Sequence, residues 1–521
     1  MSQALGTFRA VYLVALCCVG SFLFAYDTGI VGGILTFSSF QEDFRYAADQ
    51  KATVGSNSTS LLQAGAFFSC FFIWPFTSKF GRRPSLVLAS TIFCLGAIVQ
   101  TLNTHSLGAF YAARVVSGVG VGMATVVIPM YSAEMAPKRI RGMLGSMFQF
   151  FFTLGVMTSY WVDYAVAKHV RPSTAQWQVP VGLQLAPGAV LGLGMLVTRE
   201  SPRWYAKKGR REEAMEALAW VRGGASAEVE EEFAEILASI EEEERITDGV
   251  TVKELLLPIN RMRVFLVIAI QIGVQLTGNT SLAYCKLPLL RLLNRNPPLT
   301  PLPPPPDAPQ VFAAVGAGQD NLLITGFFGV VKVISCLFFL LFLVERIGRR
   351  GSLLFGALLM GTYMLIIAVL TATHPPSASA GLTPTGIASL TMVYLEAMSY
   401  NISWGPVSWL YMSEIFPTRI REAGIAIGTA TQWLFNFVFS QVTPHAIQNL
   451  GWRTFLMFCI FNYSLVIFTW FFIKETKGKS LEEMDTLFGA TSTSVDAEAA
   501  NKRARHSEVA QVDVAGEDKK S

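Results

Sequence analysis

Tyr131-Ser132-Ala133-Glu134-Met135-Ala136-Pro137-Lys138-Arg139-Ile140-Arg141 is written a second time as Tyr411-Met412-Ser413-Glu414-Ile415-Phe416-Pro417-Thr418-Arg419-Ile420-Arg421, an offset of 411 − 131 = 280 residues. A shorter element, Gly81-Arg82-Arg83, returns as Gly348-Arg349-Arg350, an offset of 348 − 81 = 267. Both members of each pair fall at the same place in their half of the chain. Chance does not easily arrange this. It predicts two parallel halves related by an axis along a membrane normal, the symmetry a rocking carrier needs.

Outward from these motifs, windows of about 20 apolar residues, enough to span a bilayer as a helix, recur near 9–31, 59–78, 84–103, 107–130, 143–163 and 179–198. They resume near 262–285, 319–344, 351–372, 384–411, 423–446 and 452–473. The reading is therefore an all-α membrane protein: a first six-helix half over 1–198, a linker with short amphipathic helices over 199–260, a second half over 261–485 and a polar, disordered tail over 486–521. The first apolar stretch is too long for a signal-peptide core and is read as a retained span. Composition agrees, with 52% hydrophobic and 15% charged residues and a mean hydropathy of +0.42, against roughly a quarter charged in soluble domains.

The seven cysteines fall inside or at the ends of apolar stretches without metal spacing, so neither a disulfide framework nor a metal site is expected. Gly118, Gly120 and Gly122 resemble a nucleotide loop only superficially; inside a span they read as close helix packing. No cofactor, covalent chemistry or nucleic-acid partner is implied, and the chain is not read as an enzyme. Its expected partners are a small polar solute, a proton and the lipid bilayer, with the chain acting as a monomer.

Basic clusters at Lys79 to Arg83, Lys138 to Arg141, Arg203 to Arg211, Arg346 to Arg350, Arg419 to Arg421 and Lys474 to Lys479 share one side if both termini are cytoplasmic. The expected location is the plasma membrane. Asn57-Ser58-Thr59 then faces outward as a glycosylation acceptor. The prolines 303–306 suggest extended polyproline between the seventh and eighth spans.

Ionisable groups inside spans cost at least ~2.5–3.5 kcal/mol on insertion scales, so each needs a reason. Asp27 in the first span and Arg114 in the fourth lie at similar depth and are expected to pair. An aspartate whose pairing or hydration changes with conformation is a proton-coupling device; a static ion pair pinning two helices is the alternative. Lys332 and Glu396 also lie near mid-membrane, as a structural pair or as solute contacts. At the cytoplasmic ends, Arg82, Arg83, Glu134, Arg141, Glu345, Arg349, Arg350, Glu414 and Arg421 read as a gate latch, in which Arg forks hold carboxylates of neighbouring helix ends and release them on opening. Solute contacts are sought among Gln149, Gln271, Gln275, Trp404, Trp409 and Asn436, because amides offer donor and acceptor to hydroxyls and Trp offers a ring face. Each taken singly also fits helix packing. Gly405-Pro406 is expected to interrupt its span beside a cavity.

These residues resemble the sugar porter family of the major facilitator superfamily over about 20–485. The agreement includes Phe24-Ala25-Tyr26-Asp27-Thr28-Gly29, Arg114 with the three glycines that follow it, Glu200-Ser201-Pro202-Arg203-Trp204, Trp404-Gly405-Pro406 with Trp409, and Glu475-Thr476-Lys477-Gly478. Gly329-Val330-Val331-Lys332 is similar to fungal hexose and quinate permeases. The resemblance implies the major facilitator fold with 12 transmembrane helices in two six-helix halves, and sugar transport by alternating access. It also implies proton symport through Asp27 and Arg114, and sugar contacts at Gln149, Gln275, Trp409 and Asn436, with Trp404 at a ring-stacking position of some members. A proton-independent facilitator and a non-transporting nutrient receptor are the rival functions. Two departures matter. Val274 and Thr280 stand where the family usually has Gln and Asn, which favours a less hydroxylated or acidic ring compound over glucose. Ser78 replaces a loop acid, which weakens the first half of the latch.

Overall fold

The computed structural model describes residues 2–47, 50–137, 141–247, 258–284, 321–344, 346–374, 384–416, 420–477 and 488, and where the twelve apolar windows fall on these residues they are mostly helical. The expectations for the proline-rich loop, the tail, Glu345 and the Arg141 side chain lie outside the described residues. The first half contains α1 (Ser2–Ile34), a short α2 (Ser38–Phe44), α3 (Lys51–Phe80), α4 (Arg82–Thr101), α5 (Leu107–Met135), α6 (Arg141–His169) and a sixth rod made of α7 (Thr174–Leu183) and α8 (Leu185–Leu196). The linker carries α9 (Pro202–Lys207), α10 (Arg211–Arg222) and α11 (Ala227–Thr247). The second half contains α12 (Pro258–Leu276) with α13 (Asn279–Tyr284), α14 (Asn321–Phe338) closed by a π-turn, and α15 (Arg349–Thr373). It continues with α16 (Pro384–Asn401), α17 (Trp404–Glu414), α18 (Arg421–Leu450) and α19 (Arg453–Phe472). Among the described residues, 8 helical stretches are long and apolar enough to cross a membrane unaided.

Lipid gives two apolar helices little reason to associate, so close approach needs small residues. The glycines of α5 meet that need. A Cβ on Gly118 or Gly122 would lie 2.1 Å from the Leu62 carbonyl or 2.2 Å from the Ala66 carbonyl of α3, while one on Gly120 would meet the Ala89 carbonyl of α4 at 2.5 Å. One helix is thereby clamped between two. Outward faces carry Phe68, Phe72, Trp470 and Phe471, all exposed, as a lipid-facing surface requires.

The helix breaks position the site. Gly278 has φ +87° and separates α12 from α13. The tenth span breaks at Ile402 and Ser403, one turn before the expected place; Gly405 and Pro406 sit in the first turn of α17, where a missing N–H costs nothing. The halves meet along two seams, α3 against α18 and α6 against α14. The linker helices mark one face of the molecule: the Arg222 guanidinium donates to the Met135 carbonyl (2.9 Å) and binds Glu232 (2.8 Å). Asn57 lies within α3, and its side-chain oxygen accepts from Gln441 of α18 at 3.1 Å. The expected glycosylation acceptor is thus a helical residue held across a seam, not a loop residue.

Candidate functional site

Asp27 and Arg114 meet inside the first half. The Arg114 guanidinium lies 2.5 Å from Asp27 Oδ1, both residues are 0% exposed, and Arg114 Nε donates to the Ser58 carbonyl at 2.7 Å. Asp27 Oδ2 and Arg114 Nη2 have no hydrogen-bond partner among the described residues. A buried ion pair stays costly unless its remaining polar atoms are satisfied. These are not, so the pair is a poor structural clamp and has capacity left for another proton or donor.

Of the amides sought for solute recognition, Asn436 meets the opposite half directly, and Gln271 and Gln275 make their contacts within the second half. Gln63 Nε2 of α3 donates to Asn436 Oδ1 of α18 at 3.2 Å, leaving Gln63 Oε1 unpartnered. Gln271 and Gln275 are one turn apart on α12. Gln271 Nε2 contacts the Met412 sulfur at 3.4 Å and its oxygen is free of partners, whereas Gln275 Oε1 accepts from Thr280 at 2.6 Å and its Nε2 is unpartnered. Among the described residues, two buried amide acceptors and one buried amide donor here lack a hydrogen-bond partner. Burying such groups unsatisfied costs roughly 1–3 kcal/mol each, a cost that a polyhydroxylated guest removes. Gln149 lies beside Gly405, where an added Cβ would sit 3.1 Å from its amide nitrogen.

A chain of aromatic rings links the two halves. Trp409 packs on Phe148 (centroids 5.0 Å), Phe148 on Phe24 (6.2 Å), and Phe24 edge-on to Trp433 (5.6 Å). Trp433 Nε1 donates to Thr125 of the other half at 3.2 Å. Trp404 is not part of this chain. It is fully buried, donates to the Leu353 carbonyl at 3.0 Å and packs over Gly273 and Gly356, so the geometry gives it a packing job inside the second half.

At the linker face the gate residues divide. Arg82 Nη2 binds Glu134 at 2.8 Å, and Arg349 Nη2 binds Glu414 at 2.8 Å. Both contacts lie within one half. The guanidinium groups of Arg83 and Arg350 turn instead to backbone, donating to the carbonyls of Leu196 (2.5 Å) and Trp470 (2.6 Å) and anchoring the ends of the sixth and twelfth spans. The Arg421 guanidinium turns back onto the Phe416 carbonyl at 3.3 Å. The cross-half contact uses a residue the sequence reading missed: Glu422 of α18 pairs with Arg82 and accepts from Ser78 Oγ at 3.1 Å. The lost acid at Ser78 is thus replaced from the opposite half. A signal existed, because 142 + 280 = 422 and the repeat carries Gly142 where the second half carries Glu422.

Two further carboxylates were missed as site groups, although their motifs were noted. Glu200 accepts from the backbone N–H groups of Arg82 (3.0 Å) and Arg83 (2.9 Å), and Glu475 from those of Arg349 (2.8 Å) and Arg350 (3.0 Å). Their spacing is 475 − 200 = 275, a third register of the repeat. Each caps the open N-terminus of the helix that follows a Gly-Arg-Arg turn. Gly81 has φ +102°, and a Cβ there would lie 2.3 Å from a Glu200 oxygen, so only glycine allows the cap. Burial raises the Glu200 carboxyl above its ordinary value, against the pull of its backbone donors and with a smaller push from Glu134.

The family model for the sugar (and other) transporters matches residues 13–289 and 308–488. The quinate permease of Emericella nidulans is 32% identical over 505 residues, covering 92% of this chain and 88% of its own length. A probable quinate permease of Aspergillus fumigatus is 31% identical over 497 residues, covering 91% and 86%. Among solved structures, the major facilitator proton:xylose symporter XylE bound to 6-bromo-6-deoxy-D-glucose superposes with a TM-score of 0.75 at 25% identity, over 93% of this chain and 100% of that one. XylE from E. coli in its inward open conformation gives 0.68 at 24%, over 92% and 99%. Relatives named permeases and symporters, on a two-half helical scaffold, identify a transporter and not an enzyme. The chain belongs to the sugar transporter family of the major facilitator superfamily.

Proposed function

We propose that this chain imports a sugar or sugar-like ring compound by proton symport, alternating access between two faces of a plasma membrane with both termini cytoplasmic, as a monomer. The observation that carries the proposal is the fully buried Asp27–Arg114 pair with a carboxylate oxygen left open. A proton arriving at that oxygen weakens the hold of Arg114, so protonation and separation of the first and fourth spans become one event. Gln63, Gln149, Gln271, Gln275, Trp409 and Asn436 form the solute site between the halves. Its unpartnered amide atoms suit ring hydroxyls, and the similarity to quinate permeases makes a hydroxylated ring acid the first solute to test. Arg82 with Glu134 and Glu422 latches the linker face, and opening that face requires the Glu422 contact to break.

The test is uptake by the purified chain in liposomes with a panel of labelled hexoses, pentoses, disaccharides and quinate, recording external pH. Symport predicts alkalinisation that starts with solute addition and accumulation that an uncoupler abolishes. Uptake without proton movement, indifferent to the uncoupler, would establish a facilitator instead.

A further inference from the structure

The second half buries a charged cluster that the pair in the first half does not account for. Lys332 of α14, Asn279 at the start of α13 and Glu396 of α16 are 4%, 2% and 0% exposed. Lys332 Nζ donates to Asn279 Oδ1 at 3.2 Å, and Asn279 Nδ2 donates to Glu396 Oε2 at 3.0 Å. The ammonium also lies 4.8 Å from the Phe328 ring centroid. Glu396 Oε1 has no hydrogen-bond partner among the described residues.

A pair meant only to pin two helices gains most from direct contact, because attraction in a low-dielectric interior falls with distance. Here an amide stands between the charges, its oxygen turned to the cation and its nitrogen to the anion. That orientation depends on both charges being present, so the amide senses the state of the carboxylate. Its place in the chain gives the signal somewhere to go. Asn279 follows Gly278, whose φ of +87° forms the break of the seventh span, and precedes Thr280, whose hydroxyl holds Gln275 Oε1 at 2.6 Å.

The ionisable surroundings of Glu396 are few. Of the elements packed on α16, α14 carries Lys332 and Cys336, the latter turned to Thr153, and α13 carries the uncharged amide of Asn279; α15 carries Arg349, Arg350 and Tyr363, and α17 carries Tyr411 and Glu414. Arg349, Arg350 and Glu414 are engaged at the linker face. On α16 itself, Tyr394 donates to the Ile324 carbonyl at 2.8 Å, and Tyr400 lies near the span's break. Among the described residues, Asn279 is the group that donates to the Glu396 carboxylate.

We propose that Lys332, Asn279 and Glu396 form a second proton-binding site, in which Glu396 Oε1 takes a proton and Asn279 passes that event to Gln275 through the Gly278 turn. The proton comes from hydronium on one side of the membrane, forms an O–H bond on the carboxylate and leaves to water on the other side. The proposal rests on the transport reading but not on Asp27.

The test needs no solute. Infrared difference spectra of the purified full chain in lipid, recorded as pH is lowered, detect each buried carboxylate that gains a proton. The Asp27→Asn variant should keep a carboxyl signal that the Glu396→Gln variant lacks. A Glu396→Gln spectrum identical to that of the unmodified chain overturns the site. If Glu396→Gln is not recovered folded, Lys332→Met with Glu396→Gln removes both charges together. The same missing band in that pair supports the proposal, and an unchanged spectrum overturns it.

Discussion

Asp27 and Arg114 were each legible as charges out of place in lipid, and equal depth sufficed to expect their meeting. Which of their atoms stay open was not legible, since that depends on the Ser58 carbonyl that occupies Arg114 Nε from a third helix. Substituting Asp27→Asn should abolish uphill accumulation in liposomes while solute exchange persists; accumulation that survives the substitution would remove the coupling role. Gln63 is the clearest omission at this scale. It looked like one polar residue in an apolar window, and only the fold sets it against Asn436 across the seam. Substituting Gln63→Ala removes the donor to Asn436 and an open acceptor, a loss of about 1.4 kcal/mol if one hydrogen bond to solute goes with it, and hence a roughly tenfold higher KM. An unchanged KM in labelled-solute uptake would take Gln63 out of the site.

At the scale of elements, turn chemistry decides where helices stop and start. Gly278→Ala forces a residue with a Cβ into a left-handed conformation and sets that atom 2.9 Å from the Phe458 ring. The conformational cost alone is about 1–2 kcal/mol, so the variant should melt earlier than the unmodified chain in a thermal-shift assay and lose transport through displacement of Thr280. The cap supplied by Glu200 gives a pH test. Because the Glu200 carboxyl is raised above its ordinary value of 4.5, its contribution to folding is full below that value and is lost as pH rises through the shifted one. Glu200→Gln should lower the melting temperature at low pH and flatten its decline across that window. A pH dependence identical in both proteins would show that the linker face does not depend on this carboxyl.

For the whole molecule, the two halves share architecture but not the wiring between them. Seam contacts run from Arg82 and Ser78 with Glu422, through Gln63 with Asn436, to Asn57 and Ser60 with Gln441. Substituting Glu422→Gln weakens only the linker end of that seam, so cysteine labels placed on facing ends of α3 and α18 should sit farther apart on average and react faster with a soluble reagent. Arg82→Ala goes further, leaving the nearly buried Glu134 without its partner at a cost of about 3 kcal/mol or more, and should lower protein yield as well as transport. If Glu422→Gln leaves reactivity unchanged, the contact does not hold the face closed.

The sequence by itself determined the two-half plan, the helical windows, the family and the expectation that Asp27 and Arg114 meet. Apolar run length, repeat register and the cost of charge in lipid are properties of the chain read in one dimension. Only the tertiary structure decided which charges and amides face each other. It gave Arg82 a partner from the other half, sent Arg83 and Arg350 to backbone carbonyls, drew Trp404 into packing and interposed Asn279 between Lys332 and Glu396. Those outcomes turn on contacts between residues far apart in the chain, and repeat symmetry cannot foretell them, because an interface between two similar halves can be built from residues that differ.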